Sequence, residues 1–238
     1  MSQTQGEHED MNMKNRFLTI LAAGMMMAAG AALAGDGGGA ADGGKTNGGG
    51  QDDGRTFVEM PRPQRDAFLA MMRGFVESMD DINSALSEGD FREVARIARE
   101  DMGPAHEVMA VLRSAGVPED KITKVVTKAR AAMQEVVDNG GGQPRIGRVV
   151  MQTLGPDVPD AFMNWMREHM RSGGLGRFMP AEMHVMGVQM HLSAAALGDV
   201  AATVSGKPGV EDYKKVLGAL NEITAQCRAC HASWKVFK

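Results

Sequence analysis

The chain has 238 residues and a formal net charge of -4 at pH 7, with 26 lysines and arginines against 30 aspartates and glutamates. This near balance excludes the strong basic field that attracts nucleic acid. Aromatic residues make up only 5% of the sequence, and its many alanines, methionines, leucines and valines favour helices over a β-sandwich. Two cysteines are too few for a network of disulfides, so their spacing has to be interpreted chemically.

The first predicted element, residues 1–34, is an export signal. Lys14 and Arg16 precede an apolar run that ends in small residues at Ala34. A basic, an apolar and a small-residue region in this order are typical of a secretory signal peptide. An uncleaved membrane anchor is the alternative, but the run is short for a membrane span. We therefore expect residues 11–34 to direct export to the periplasm, with no stable membrane span after cleavage.

Residues 35–56 predict a flexible linker. The stretch is nearly half glycine, with aspartate and asparagine among the rest. Such a composition cannot bury enough apolar surface to offset the entropy of ordering the chain. We therefore expect one folded domain over residues 57–238.

Two helices are predicted at the start of this domain. Apolar residues recur at steps of four and three from Phe68 through Met72 to Leu86, which predicts a long amphipathic helix with one core-facing seam. Gly89 ends this helix, and a second, shorter apolar stripe runs to residue 102.

The middle of the domain, residues 103–177, predicts further helices. The longest has an apolar stripe from Ile122 to Val137, and two shorter helices are expected near 146–154 and 158–171. No run of alternating apolar and polar residues is long enough for a sheet, so we expect an all-α chain.

The last two predicted helices contain histidines and both cysteines. One contains His184 and His191, which are seven residues apart and therefore share a face. The other ends in Cys227, Cys230 and His231. Cys-x-x-Cys-His is the attachment signature of c-type haem.

The spacing of this motif suits covalent attachment of a porphyrin. On a helix, Cys227 and Cys230 lie on one face, with His231 beside them. Two thiols so placed can add to the two vinyl groups at one edge of haem, and the imidazole can ligate the iron. Predicted export supports this use, because c-type attachment occurs outside the bacterial cytoplasm. We expect one covalently bound haem c; the alternatives are a redox dithiol, expected in a βαβ context, and a zinc site, which needs a distant ligand.

A haem motif at the end of the last helix of an all-helical chain resembles the class II c-type cytochromes, the cytochrome c′ and cytochrome c-556 group. Residues 62–102 look like the first two helices of that group, and 178–238 look like the last two. The resemblance implies a four-helix up-down-up-down bundle, with residues 103–177 as a helical insertion between the second and third bundle helices. It also leaves open a homodimer that pairs through the first two helices.

The second iron ligand is predicted from this bundle. The first and last helices run antiparallel, so the start of the first helix, near Phe68 and Met72, is level with His231. In six-coordinate members of the group a methionine of the first helix fills the distal position, and the resemblance places Met72 there. His191 and His184 of the third helix are the alternatives, and an open distal side is a further one.

These features predict a periplasmic haem protein that carries single electrons to or from a redox partner protein. The resemblance implies His231 and Met72 as metal ligands, and such ligation raises the redox potential. The alternative function is a five-coordinate haem protein that binds NO, CO or another small gas. No carboxylate pair, nucleophile triad or nucleotide loop indicates an enzyme, and the distal acid–base pair of a haem peroxidase is not apparent.

Residues outside these candidates have simpler expected roles. Trp234 and Phe237 are expected to shield the haem edge. Lys235 and Lys238 suit the C-terminal end of a helix dipole, with contact to an acidic redox partner as a weaker expectation. His106 and His169, in the insertion, are expected at the surface.

Overall fold

The structure is a computed structural model that describes residues 53–172 and 174–236. Most of these residues lie in eight α-helices, which confirms the all-α prediction. No helix within these two ranges is long and apolar enough to cross a membrane. The predicted export signal and most of the predicted linker lie outside the described residues.

Glycine, proline and aspartate set several helix ends. In chain order the elements are β1 (Thr56–Phe57), α1 (Arg62–Glu88), α2 (Phe91–Glu100), α3 (His106–Ser114), α4 (Glu119–Asp138), α5 (Ile146–Leu154), α6 (Asp160–Ser172), α7 (Ala181–Ala202), α8 (Val210–Ser233) and β2 (Trp234–Lys235). Gly89 ends α1, as predicted, in the left-handed conformation with a φ of 73°. Asp90 caps α2, because its Oδ1 accepts a hydrogen bond of 3.0 Å from the backbone N–H of Glu93.

The main hydrophobic core joins α1, α2, α7 and α8. From the predicted seam of α1, Phe75, Ile82 and Leu86 are buried, and Met72 packs against the cluster while partly exposed. Burial of this seam is what its spacing predicts. The other three helices also contribute buried residues to this core, as does Met102 between α2 and α3. These residues are Phe91, Val94, Ala95, Ile97, Ala98, Met102, Met190, Ala194, Leu197, Ala201, Val216, Leu220 and Ile223.

Helix α7 packs against three other helices, α2, α4 and α8. Its sequence explains this position, because apolar residues occur on all sides of the helix rather than on one stripe. Small residues let the neighbouring helices approach closely. A methyl group added at Gly198 would lie 3.1 Å from the backbone oxygen of Ala95 in α2 and 2.5 Å from Cγ of Arg99.

Residues 103–177 contain α3, α4, α5 and α6, which share a separate hydrophobic cluster. Phe162 of α6 is its largest fully buried side chain. This cluster and the main core have no residue in common. Helix α4 also packs on α7 through a small cluster that includes Met133 and Leu192. The other buried members around Phe162 are Ala105, Val108, Met109, Leu112, Ile122, Val125, Ala129, Val150 and Leu154.

The two ends of the described chain meet beside α8. Strand β1 pairs in parallel with β2, with Thr56 opposite Trp234 and Phe57 opposite Lys235. The Nζ of Lys235 donates to Oδ1 of Asp53 at 2.9 Å. These contacts include the end of the predicted linker, so the packed part of the chain begins slightly earlier than expected.

Candidate functional site

The Cys-x-x-Cys-His motif lies near the C-terminal end of α8, as predicted. Cys227 is exposed and Cys230 is partly buried, and both are free cysteines. His231 is exposed, and its backbone carbonyl accepts a hydrogen bond of 3.4 Å from Nη1 of Arg55. This bond and the pairing of β1 with β2 therefore tie the N-terminal segment to the end of the motif and to the residues that follow it.

The motif borders a cavity of about 330 Å³ with largely apolar walls. Its walls come mainly from residues 68–79 of α1, 183–191 of α7 and 224–231 of α8, and Met102 and Met179 complete them. Eight methionines line it, and their flexible thioethers can adapt to a bound group. The volume falls within the range of about 300–1,000 Å³ that is usual for ligand and cofactor sites.

The surroundings of the two cysteines favour thiols over thiolates. Although the residue Cys227 is exposed as a whole, the surrounding protein partly desolvates its thiol and that of Cys230, which raises the pKa of both, and Cys227 raises the pKa of Cys230 further. The reactive cysteine of a Cys-x-x-Cys oxidoreductase has a lowered pKa instead. The pair therefore lacks the activation expected of a redox dithiol.

Met72, the methionine named by the resemblance, lines the cavity, and so does Met71. Helical geometry predicts that these neighbours point about 100° apart. Both reach the cavity because it follows a wider arc of α1 than the single core-facing seam. The structure therefore offers two adjacent methionines on this wall, and Met79, two turns further along α1, is a third.

The two histidines of α7 have different surroundings. His191 lines the cavity. His184 lies instead beside the turn at Leu175–Phe178, where a methyl group added at Gly176 would approach its ring to 3.0 Å. Partial burial lowers the pKa of His184.

The imidazole of His191 is held by three groups. Its Nδ1 donates to the backbone oxygen of Met102 at 2.7 Å. The ring of His106 stacks on it at a centroid distance of 5.3 Å, and Phe75 meets it edge-on at 5.5 Å. Burial and, to a smaller extent, His106 together lower the pKa of His191 to about 4, despite the opposing effect of the Met102 hydrogen bond. The ring is therefore neutral near pH 7, with Nε2 as its acceptor nitrogen.

His106 was expected at the surface, but the structure places it partly buried at the start of α3, against His191. Met102, the hydrogen-bond partner of His191, is 89 residues away from it in the chain. Local spacing gives no signal for such a contact. His169 is exposed as expected, and it stacks on Trp165.

The residues that follow the motif lie in or next to the strand pair. Trp234 packs in a cluster that includes Cys230 and Val236. Lys235 forms an ion pair of 2.9 Å with Asp53. Phe237 and Lys238 lie outside the described residues. In the described ranges no three histidine, cysteine, aspartate or glutamate side chains form a metal-binding group.

Comparison of the chain with protein-family models, with curated proteins and with solved structures gives no match. A function for this chain therefore has to be argued from its own residues.

Proposed function

We propose that this chain is a periplasmic c-type haem protein that transfers single electrons. Cys227 and Cys230 would attach one haem, and His231 would ligate its iron. The observation that supports this most is that the motif borders an apolar, methionine-rich cavity built by three helices. The residues of the motif fit haem, because two thiols and an imidazole lie beside apolar walls that suit a porphyrin ring. When bound, haem supplies one-electron chemistry at iron.

We also propose that α1, α2, α7 and α8 form an up-down-up-down bundle of the class II cytochrome type, with α3–α6 inserted between its second and third helices. In support, α1 packs on α2, α2 on α7 and α7 on α8. The β1–β2 pair brings the start of α1 to the end of α8, as antiparallel first and last helices require. A homodimer through α1 and α2 is a further part of this proposal, and sedimentation of the purified protein would show or exclude it.

Covalent attachment is the first test of this proposal. The chain, expressed in a bacterium that attaches c-type haem, should appear in the periplasmic fraction and retain one haem per chain in denaturant. The measurements are a haem-stained denaturing gel and the intact mass. The double variant Cys227→Ala/Cys230→Ala should lose the haem, and Ala229→Ser on the same helix should keep it. Haem-free wild type, or covalent haem in the double variant, would contradict the proposal.

The absorption spectrum of the same sample separates the electron carrier from a gas-binding protein. Electron transfer favours two protein ligands on the iron. One would be His231, and the candidates for the other are Met72 and His191, on two walls of the cavity. A low-spin spectrum in both oxidation states is the expected result. A high-spin, five-coordinate ferrous spectrum that shifts with CO or NO would exclude both ligands and identify the protein as a gas binder.

A further inference from the structure

The wall that α7 contributes to the cavity includes a second imidazole, in addition to that of His231 on α8. His191 and His231 are the two histidines among the described residues that line this cavity. They come from different helices, so each reaches the cavity from its own wall. This matters because a haem iron has two axial positions.

The hydrogen bond of His191 prepares its ring for metal binding. Because Nδ1 donates to the carbonyl oxygen of Met102, the proton is on Nδ1 and the lone pair is on Nε2. Histidines that bind metals usually donate their other ring N–H to a backbone carbonyl or a carboxylate in this way. Met102 also lines the cavity, so donor, acceptor and cavity lie together.

The ring of His191 is also fixed in orientation before any ligand binds. His106 stacks on it with an interplanar angle of 23°, and Phe75 packs against it at 74°. A ligand held in this way loses little conformational entropy on binding. Met72 differs, because its thioether is flexible and lies beside Met71 on the cavity wall.

We infer that His191 would bind the haem iron together with His231, and that Met72 is a packing residue on the cavity wall. This inference rests on the proposed function, because it assumes haem at the motif. It assigns a role to the insertion as well. His106 of α3 and the carbonyl of Met102 at the α2–α3 junction act as positioning groups for the ligand.

The hydrogen bond to Met102 also has a purely structural interpretation. In it, His191 only donates a hydrogen bond to the backbone carbonyl of Met102, which follows the end of α2. The two interpretations differ in what a substitution does. His191→Asn keeps an N–H donor near the position of Nδ1 but removes Nε2. A structural role therefore tolerates asparagine, whereas an axial ligand does not.

The wild-type protein provides the first measurement. Its ferric form should show the electron paramagnetic resonance spectrum of two histidine ligands and lack the near-infrared charge-transfer band of methionine–iron coordination. The presence of that band would overturn the inference without any variant. This measurement stands even where a substitution at residue 191 prevents folding.

The variants provide the second measurement. His191→Asn should lose the low-spin spectrum, and added imidazole should restore it. Met72→Leu, at the other candidate ligand, should keep the low-spin spectrum. A low-spin spectrum that survives in His191→Asn but is lost in Met72→Leu would overturn the inference and identify Met72 as the ligand.

Failure of the inference differs from failure of the proposed function. If the wild type retains covalent haem and its spectrum does not depend on His191, only the ligand assignment is wrong. If the wild type retains no covalent haem, the proposed function itself is wrong.

Discussion

Asp199 links three helices through charge. From α7 its carboxylate binds Arg99 of α2 at 2.9 Å and Arg130 of α4 at 2.5 Å. Partial burial raises the pKa of Asp199, but the hydrogen bonds from Arg130 and Arg99 outweigh this effect and hold the pKa below its usual value. The ionised carboxylate therefore stabilises the contact of α4 with the main core.

We expect Asp199→Asn to lower the free energy of unfolding by about 1 kcal/mol or less near neutral pH, because the pair is about half exposed. The folded pKa is depressed, so this contribution is complete above the unfolded pKa of about 3.9 and is lost as pH falls through the folded pKa. The stability gap between wild type and variant should therefore close in acid. Urea unfolding from neutral to acid pH measures it, with the exposed Asp80→Asn as control. A gap that persists in acid would contradict the assignment.

At the residue scale, local spacing predicts part of the candidate site. Cys227, Cys230 and His231 are within five positions of one another, so helical geometry alone places them together. His191 and Met102 meet only after α7 has packed beside the end of α2, and no local pattern encodes that contact. The sequence could therefore name His191 as one alternative but could not show what holds its ring.

At the scale of elements, Gly198 sets the distance between α2 and α7. We expect Gly198→Val to lower the free energy of unfolding by about 1–3 kcal/mol, because its side chain would overlap Ala95 and Arg99. Denaturant unfolding followed by circular dichroism measures the change. Ala196→Val on the exposed side of α7 is the control for helix propensity, and equal losses in the two variants would show that close approach is not the cause.

The helices themselves follow the sequence closely, because glycine, proline and apolar periodicity act locally. The helix predicted near 146–154 is α5, and the one predicted near 158–171 is α6, which begins at Asp160. The strand pair was not predicted, since strands of two residues are too short to show alternation. Their pairing depends on the two chain ends meeting, which is a tertiary event.

At the scale of the whole molecule, the main core and the cluster around Phe162 are separate. We expect Phe162→Ala to lower the free energy of unfolding by about 3–5 kcal/mol. The spectrum of the proposed haem should not change, because no residue of that cluster lines the cavity. Phe75→Ala removes a buried ring of the same type that does line the cavity, so its spectrum should change. Denaturant unfolding and absorption spectra of the two variants test this, and a spectral change in Phe162→Ala would show that the two clusters are coupled.

The parallel pairing of β1 with β2 has a practical consequence for optical experiments. Because Thr56 and Trp234 are opposite one another, both ends of the described chain lie beside the Cys-x-x-Cys-His motif. A fluorophore attached at the exposed Thr56 would therefore lie near the proposed porphyrin, whose absorption would quench its emission. The intrinsic emission of Trp234 should be quenched for the same reason. Either signal would report cofactor loading in living cells or during refolding, without alteration of any residue in the cavity.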